Sequence, residues 1–152
     1  MEINSAHMNV RETLQLLVRR FGLLQKDSAQ CCGVSVIHSH IIYEISRRSR
    51  LSLNELSEAL SVDTSTLSRQ VQQLVEVGLV GRLPDPQDRR YVVLSLTAEG
   101  EHQAEAVSGL MEDYIRNLFQ HVPPDKQAQV LESLQLLSEA LGKSPNCCTP
   151  PL

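Results

Sequence analysis

Apolar side chains recur at three- and four-residue intervals from the start of the chain. Val10, Leu14, Leu17, Val18, Phe21 and Leu24 mark one face of an amphipathic helix over residues 9–29. Gly33 suits its C-terminal stop. Ser35 is placed to cap a second helix running to about Arg48, with Ile37, Ile41 and Ile45 on one side. Ser52 and Glu55 have the S-x-x-E spacing of a capping box and predict a short helix over residues 53–60. Asp63 then caps a fourth helix through Leu67, Val71, Leu74 and Val75, ending near Gly78.

The periodicity changes in "RLPDPQDRRYVVLSLT", residues 82–97. Pro84 and Pro86 have no backbone donor to give a central strand, so the middle reads as a loop. Beyond it, Val92, Leu94 and Leu96 alternate with Tyr91, Val93 and Ser95, the period of a strand with one buried face. A β-hairpin with a charged tip is expected. Helical spacing returns after Thr97, through Val107, Leu110, Met111, Tyr114, Ile115 and Leu118, until "HVPPD" breaks it. Ala128, Leu131, Leu134, Leu137 and Leu141 predict a last helix ending at Gly142, before a flexible tail, "KSPNCCTPPL".

This order implies a mainly α fold with a small β-hairpin wing: a winged helix-turn-helix domain plus a helical dimerisation region. Residues 1–34 would hold the first dimerisation helix, 35–97 the winged helix-turn-helix, 98–143 the C-terminal dimerisation helices and 144–152 the tail, all within one compact domain. The first helix and the last two carry apolar stripes too long for such a small core to cover, and a second copy of the chain would bury them.

The formal net charge is -4, yet it is unevenly placed. Residues 98–152 hold eight acids and three bases, a balance of -5, which leaves +1 for residues 1–97. A nucleic-acid partner would therefore meet a local cationic surface and not a general field. The fourth helix opens with Ser65, Thr66 and Ser68, short donors and acceptors of the kind that reach base edges in a DNA major groove, and Arg69, Gln72 and Gln73 add longer reach. By itself this is equally an exposed helix face that touches nothing. A hairpin bearing Arg89 and Arg90 directly after it favours DNA, since such arginines can enter a narrow minor groove.

From Leu53 to Gly100 the chain resembles the MarR family of bacterial regulators. The resemblance is carried by "ELSEALSVDTSTLSRQVQQLVEVGLV" and by the wing pattern D-R-R-x-x-x-L-x-L-T-x-x-G, met by Asp88, Arg89, Arg90, Leu94, Leu96, Thr97 and Gly100. It implies a homodimer whose two recognition helices and wings straddle a pseudo-palindromic operator in double-stranded DNA. It places Arg90 as the minor-groove arginine and Asp88 as the acid that holds it. It implies a transcriptional regulator, most simply a repressor, released by a small-molecule, metal or oxidant inducer.

Two adjacent cysteine pairs, Cys31–Cys32 and Cys147–Cys148, complete the candidate chemistry. Neighbouring Cα atoms lie about 3.8 Å apart, short of the roughly 4.4–6.8 Å of ordinary disulfides, so neither pair is expected to close on itself. Two adjacent thiolates can hold a soft ion such as zinc, copper(I) or trivalent arsenic. His40 and Glu44, four apart on one helix face, offer further ligands; His38 lies off that face. The alternative is that the cysteines are packing residues, and that the inducer is an aromatic or lipophilic compound. Zinc-sensing relatives place a pair of histidines along the helix after the wing, where only His102 stands here. No cofactor is required.

No glycine-rich phosphate loop or nucleophile elbow is present, so an enzyme is not expected. A dithiol oxidoreductase would want C-x-x-C on a βαβ unit, and neither occurs. A winged-helix module that binds only protein is the other rival. The chain has no apolar run of about 18 residues to span a membrane. Its first ten residues lack the basic and apolar regions of a secretion signal, which points to the cytoplasm.

Overall fold

The computed structural model describes residues 2–143, with side chains from Asn9 onward except Ser28. Six α-helices and one hairpin follow in the expected order. They are α1 (Glu2–Cys31), α2 (Val36–Arg48), α3 (Leu53–Leu60), α4 (Thr64–Glu76), β1 (Val80–Pro84), β2 (Val92–Leu96), α5 (Ala98–Gln120) and α6 (Gln127–Lys143), with a 3-10 turn at Pro124–Lys126 before α6. Among the described residues no helix is long and apolar enough to cross a membrane.

Local chemistry sets the helix ends. The Ser35 hydroxyl accepts from the His38 amide at 3.2 Å. At α3 the capping box is complete, the Glu55 amide donating to Ser52 Oγ and the Ser52 amide to Glu55 Oε2. Asp63 Oδ1 accepts from the Thr66 amide at 2.9 Å and opens α4. Thr97 Oγ1 accepts from the Gly100 amide at the start of α5. Gly33 and Gly78 take φ of +73° and +80°, the left-handed geometry that lets the chain leave α1 and α4 sharply.

The chain divides into two units, one up to Glu112 and one from Asp113, with the boundary inside α5. The first contains the core. Ile41, Ile42 and Ile45 of α2 lie at its centre, among Leu56 of α3, Leu67, Val71 and Leu74 of α4, Leu79, Val80, Leu94 and Ala104. α2 packs against α1, α3, α4 and β2. In the second unit none of the α6 side chains is buried, and the Gln127 side-chain amide donates to the Phe119 and Val122 carbonyls across the bend that separates α5 from α6.

Three details differ from the sequence pattern. α1 extends past the expected 9–29 at both ends. Pro84 lies within β1, opposite Val92; a two-stranded ribbon has only edge strands, so its missing donor costs no ladder bond in a sheet centre. The alternation in β2 fails at its first residue, because Val92 extends beyond the core towards the tip and is exposed, while Val93 is buried beside Leu94. Leu51 also pairs with Leu94 as an isolated antiparallel bridge, which ties the α2–α3 connection to the hairpin.

Candidate functional site

The exposed face of α4 and the hairpin tip hold the candidate residues. Leu67, Val71 and Leu74 turn one side of α4 into the core. Helical periodicity then puts Ser65, Arg69, Gln72 and Gln73 on the opposite side, with Thr66 and Ser68 at its two margins. Of these, only Ser68 is partly buried. The Ser65 hydroxyl donates to Asp63 Oδ1 at 2.6 Å, leaving its lone pairs free to accept. That bond, and then those from Thr66, draw the Asp63 carboxyl down to about 2.

At the tip, Arg90 Nε donates to both Asp88 oxygens, at 3.0 and 3.1 Å, and Nη2 donates to Oδ2 at 2.6 Å. The Arg90 amide adds a bond to Oδ1 at 3.1 Å. The fork pins the guanidinium without hiding it, since the Arg90 side chain remains 85% exposed. Each partner favours the other's charged form: the Asp88 carboxyl is held below its usual range and the Arg90 guanidinium is pushed further up. Arg89 is exposed and makes no ion pair among the described residues.

Gln72 is not free on this face. Arg82 Nη1 of β1 donates to its Oε1 at 2.6 Å, and its Nε2 donates to Glu76 Oε1 at 3.0 Å. Sequence reasoning missed Arg82, because a partner ten residues away across a turn leaves no periodic signal.

The cysteine region is less assembled. Cys31 ends α1 and is an exposed free thiol, and Cys32 is a partly buried one. Burial, and secondarily the neighbouring Cys31, push the Cys32 thiol up. The Cys32 carbonyl accepts a bond from the Gln103 side-chain amide of α5. Glu44 is engaged by Arg47 and Arg48, at 3.4 and 3.3 Å, and His40 is partly buried. Among the described residues no group of three or more histidine, cysteine or carboxylate side chains is gathered to hold a metal ion. Cys147 and Cys148 lie outside the described residues.

Residues 36–92, from the start of α2 to the first residue of β2, match the MarR family model. Over these residues the chain is similar to the MarR family. Among curated proteins it is 25% identical over 119 residues to the HTH-type transcriptional regulator BilQ of Clostridium symbiosum, covering 78% of this chain and 83% of that one. To the multiple antibiotic resistance protein MarR of Escherichia coli it is 37% identical over 75 residues, 49% of this chain and 52% of that one. The fold is likewise that of a cysteine-to-serine mutant of Escherichia coli MarR solved in complex with operator DNA. The TM-score is 0.74 at 23% identity, over 87% of this chain and 95% of the other. The chain shares this architecture, mainly helical with a two-strand antiparallel wing.

Proposed function

We propose that the chain is a sequence-specific DNA-binding transcriptional regulator acting as a homodimer on a pseudo-palindromic operator, most simply as a repressor. The observation that carries this reading is the fork between Asp88 and Arg90, a guanidinium fixed in direction and open to solvent at the end of a ribbon next to the polar face of α4. In this reading Arg90 enters the minor groove, Arg89 and Arg69 contact phosphate or base, and Ser65, Thr66, Ser68 and Gln73 face base edges in the major groove. The related proteins bear the names of transcriptional regulators, which supports a regulatory rather than an enzymatic role. A cytoplasmic location follows from that role.

The dimer reading is supported by apolar side chains left open to solvent. These include Val10, Leu17, Val18 and Phe21 of α1, Ile115 and Leu118 of α5, and Leu131, Leu134 and Leu141 of α6. Sedimentation should give twice the chain mass; a monomer at micromolar concentration rejects it. Duplexes selected by the protein from a random double-stranded pool should share a two-fold symmetric motif, and Arg90→Ala should weaken their binding by about ten- to a hundredfold. Failure to enrich any sequence rejects the reading.

The reading of the inducer rests on the α1–α2 junction. The exposed Cys31 thiol stands beside Cys32, whose carbonyl is tied to α5 through Gln103. A soft metal, a metalloid or an oxidant taken by these thiols, with His40 or the Cys147–Cys148 pair completing the site, would bear on the helices that set the spacing of the two wings. A small aromatic or lipophilic inducer acting between the same helices, with inert cysteines, is the competing form of this proposal.

A further inference from the structure

The chain Arg82–Gln72–Glu76 assigns a role to two residues on the α4 face that differs from base reading. A glutamine that reads adenine uses both ends of its amide, accepting at Oε1 from the base N6 and donating from Nε2 to N7. Here both ends are already engaged, Oε1 by Arg82 at 2.6 Å and Nε2 by Glu76 at 3.0 Å. The internal partners also fix which way the amide points. Arg82, by contrast, has five N–H donors and spends one on Gln72. Its charge sits at the base of the wing, on β1, between the recognition helix and the Asp88–Arg90 tip.

We propose that Gln72 is a positioning residue that aims Arg82 at a DNA phosphate, so that the pair supplies sequence-independent affinity and couples the recognition helix to the wing. This rests on the DNA-binding reading above. Glu76 has a place in the same arrangement. A carboxylate on a surface that approaches phosphates is unfavourable, and the hydrogen bond from Gln72 turns it towards the helix and the Arg82 relay. A chain running from cation through amide to anion holds the arginine in one direction more firmly than a lone exposed side chain would be held.

The test uses the full chain and the duplex that the wild type selects from a random pool. Arg82→Ala should weaken binding about tenfold and lower the slope of log affinity against log salt by about one per protomer. Arg82→Lys should restore the slope. Gln72→Ala should weaken binding about threefold, leave the selected sequence motif unchanged, and have no further effect when added to Arg82→Ala. All variants should melt with the wild type. Two outcomes overturn the inference while leaving DNA binding intact: a Gln72→Ala variant that loses preference at one base pair, or Gln72 and Arg82 effects that multiply independently. Failure of the wild type to select any duplex overturns both readings together.

Discussion

Gly100 is the residue whose replacement should test the junction between wing and α5 most severely. It is buried in the first turn of α5. A Cβ built there would sit inside the envelope of the Leu79 carbonyl oxygen, 3.0 Å from the Leu79 carbonyl carbon and 3.3 Å from Leu96 Cβ. The obstacle is backbone, and it is held: the same Leu79 carbonyl accepts from the Thr97 amide at 3.1 Å. Thr97 Oγ1 also donates to the Gly78 carbonyl at 2.6 Å while accepting from the Gly100 amide at 3.0 Å. Gly100→Ala must therefore part α5 from the start of β1. Overpacking of this kind costs about 1–3 kcal/mol, and a hydrogen bond stretched beyond use adds about 1. The gain in helix propensity returns about 1. The net destabilisation is about 1–3 kcal/mol, which for a chain of this size lowers Tm by roughly 2–12 °C. Thermal and urea denaturation at one fixed protein concentration measure it. Gly81→Ala is the control, since its Cβ would meet Ser95 Oγ at an ordinary 3.5 Å. A Gly100→Ala protein that melts with the wild type would refute the reasoning.

Three further outcomes are expected. Asp88→Asn should leave Tm within about 2 °C, because exposed ion pairs contribute little to stability, while gel-shift affinity falls as Arg90 loses its fork; equal affinity would detach the fork from binding. Asp63 has a folded carboxyl lowered from 3.8 to about 2, so its capping stability is present above the unfolded value and is lost as pH falls through the folded one. The urea-denaturation gap between wild type and Asp63→Ala should thus begin to narrow as pH nears 3.8 and narrow most between 3.8 and 2, and a gap that has already closed above 3.8 would be contrary to it. Zinc, arsenite or peroxide should release the wild type from its selected duplex and leave a Cys31→Ser, Cys32→Ser double variant bound; an unresponsive wild type would leave the cysteines as packing.

The parts legible in the sequence are those decided within three or four residues. Ser35, Ser52 with Glu55, and Asp63 each cap the helix their spacing announced, because a cap is a bond between near neighbours. The bond between Asp88 and Arg90, two positions apart, is equally local, but it was the family resemblance and not their spacing that implied it. What stayed hidden depends on the turn between elements. The Leu51–Leu94 bridge joins segments more than forty positions apart through a single residue pair, too short to show alternation. Arg82 reaches Gln72 only because the α4–β1 turn folds back at Gly78. Glu44, read as a ligand from its spacing to His40, also meets Arg47 and Arg48 at equally local spacing, a pairing the ligand spacing did not announce.

If the proposed reading holds, the placement of charge has to account for how such a chain approaches DNA. Residues 47–90 hold seven arginines (47, 48, 50, 69, 82, 89 and 90) and six acids (55, 58, 63, 76, 85 and 88), a balance of only +1. A field that weak steers little. Four of the acids are nevertheless already occupied: Glu55 and Asp63 satisfy helix amides, Glu76 accepts from Gln72, and Asp88 holds Arg90. Their negative charge is spent on shaping α3, α4 and the wing, at the places where each carboxylate has donors to meet. Arg69 and Arg89 form no ion pair among the described residues, and Arg90 is paired yet exposed. Affinity on such a face depends on where a few guanidinium groups point and not on how many there are. That is why the acids that aim them, above all Asp88, should matter to binding as much as the arginines themselves.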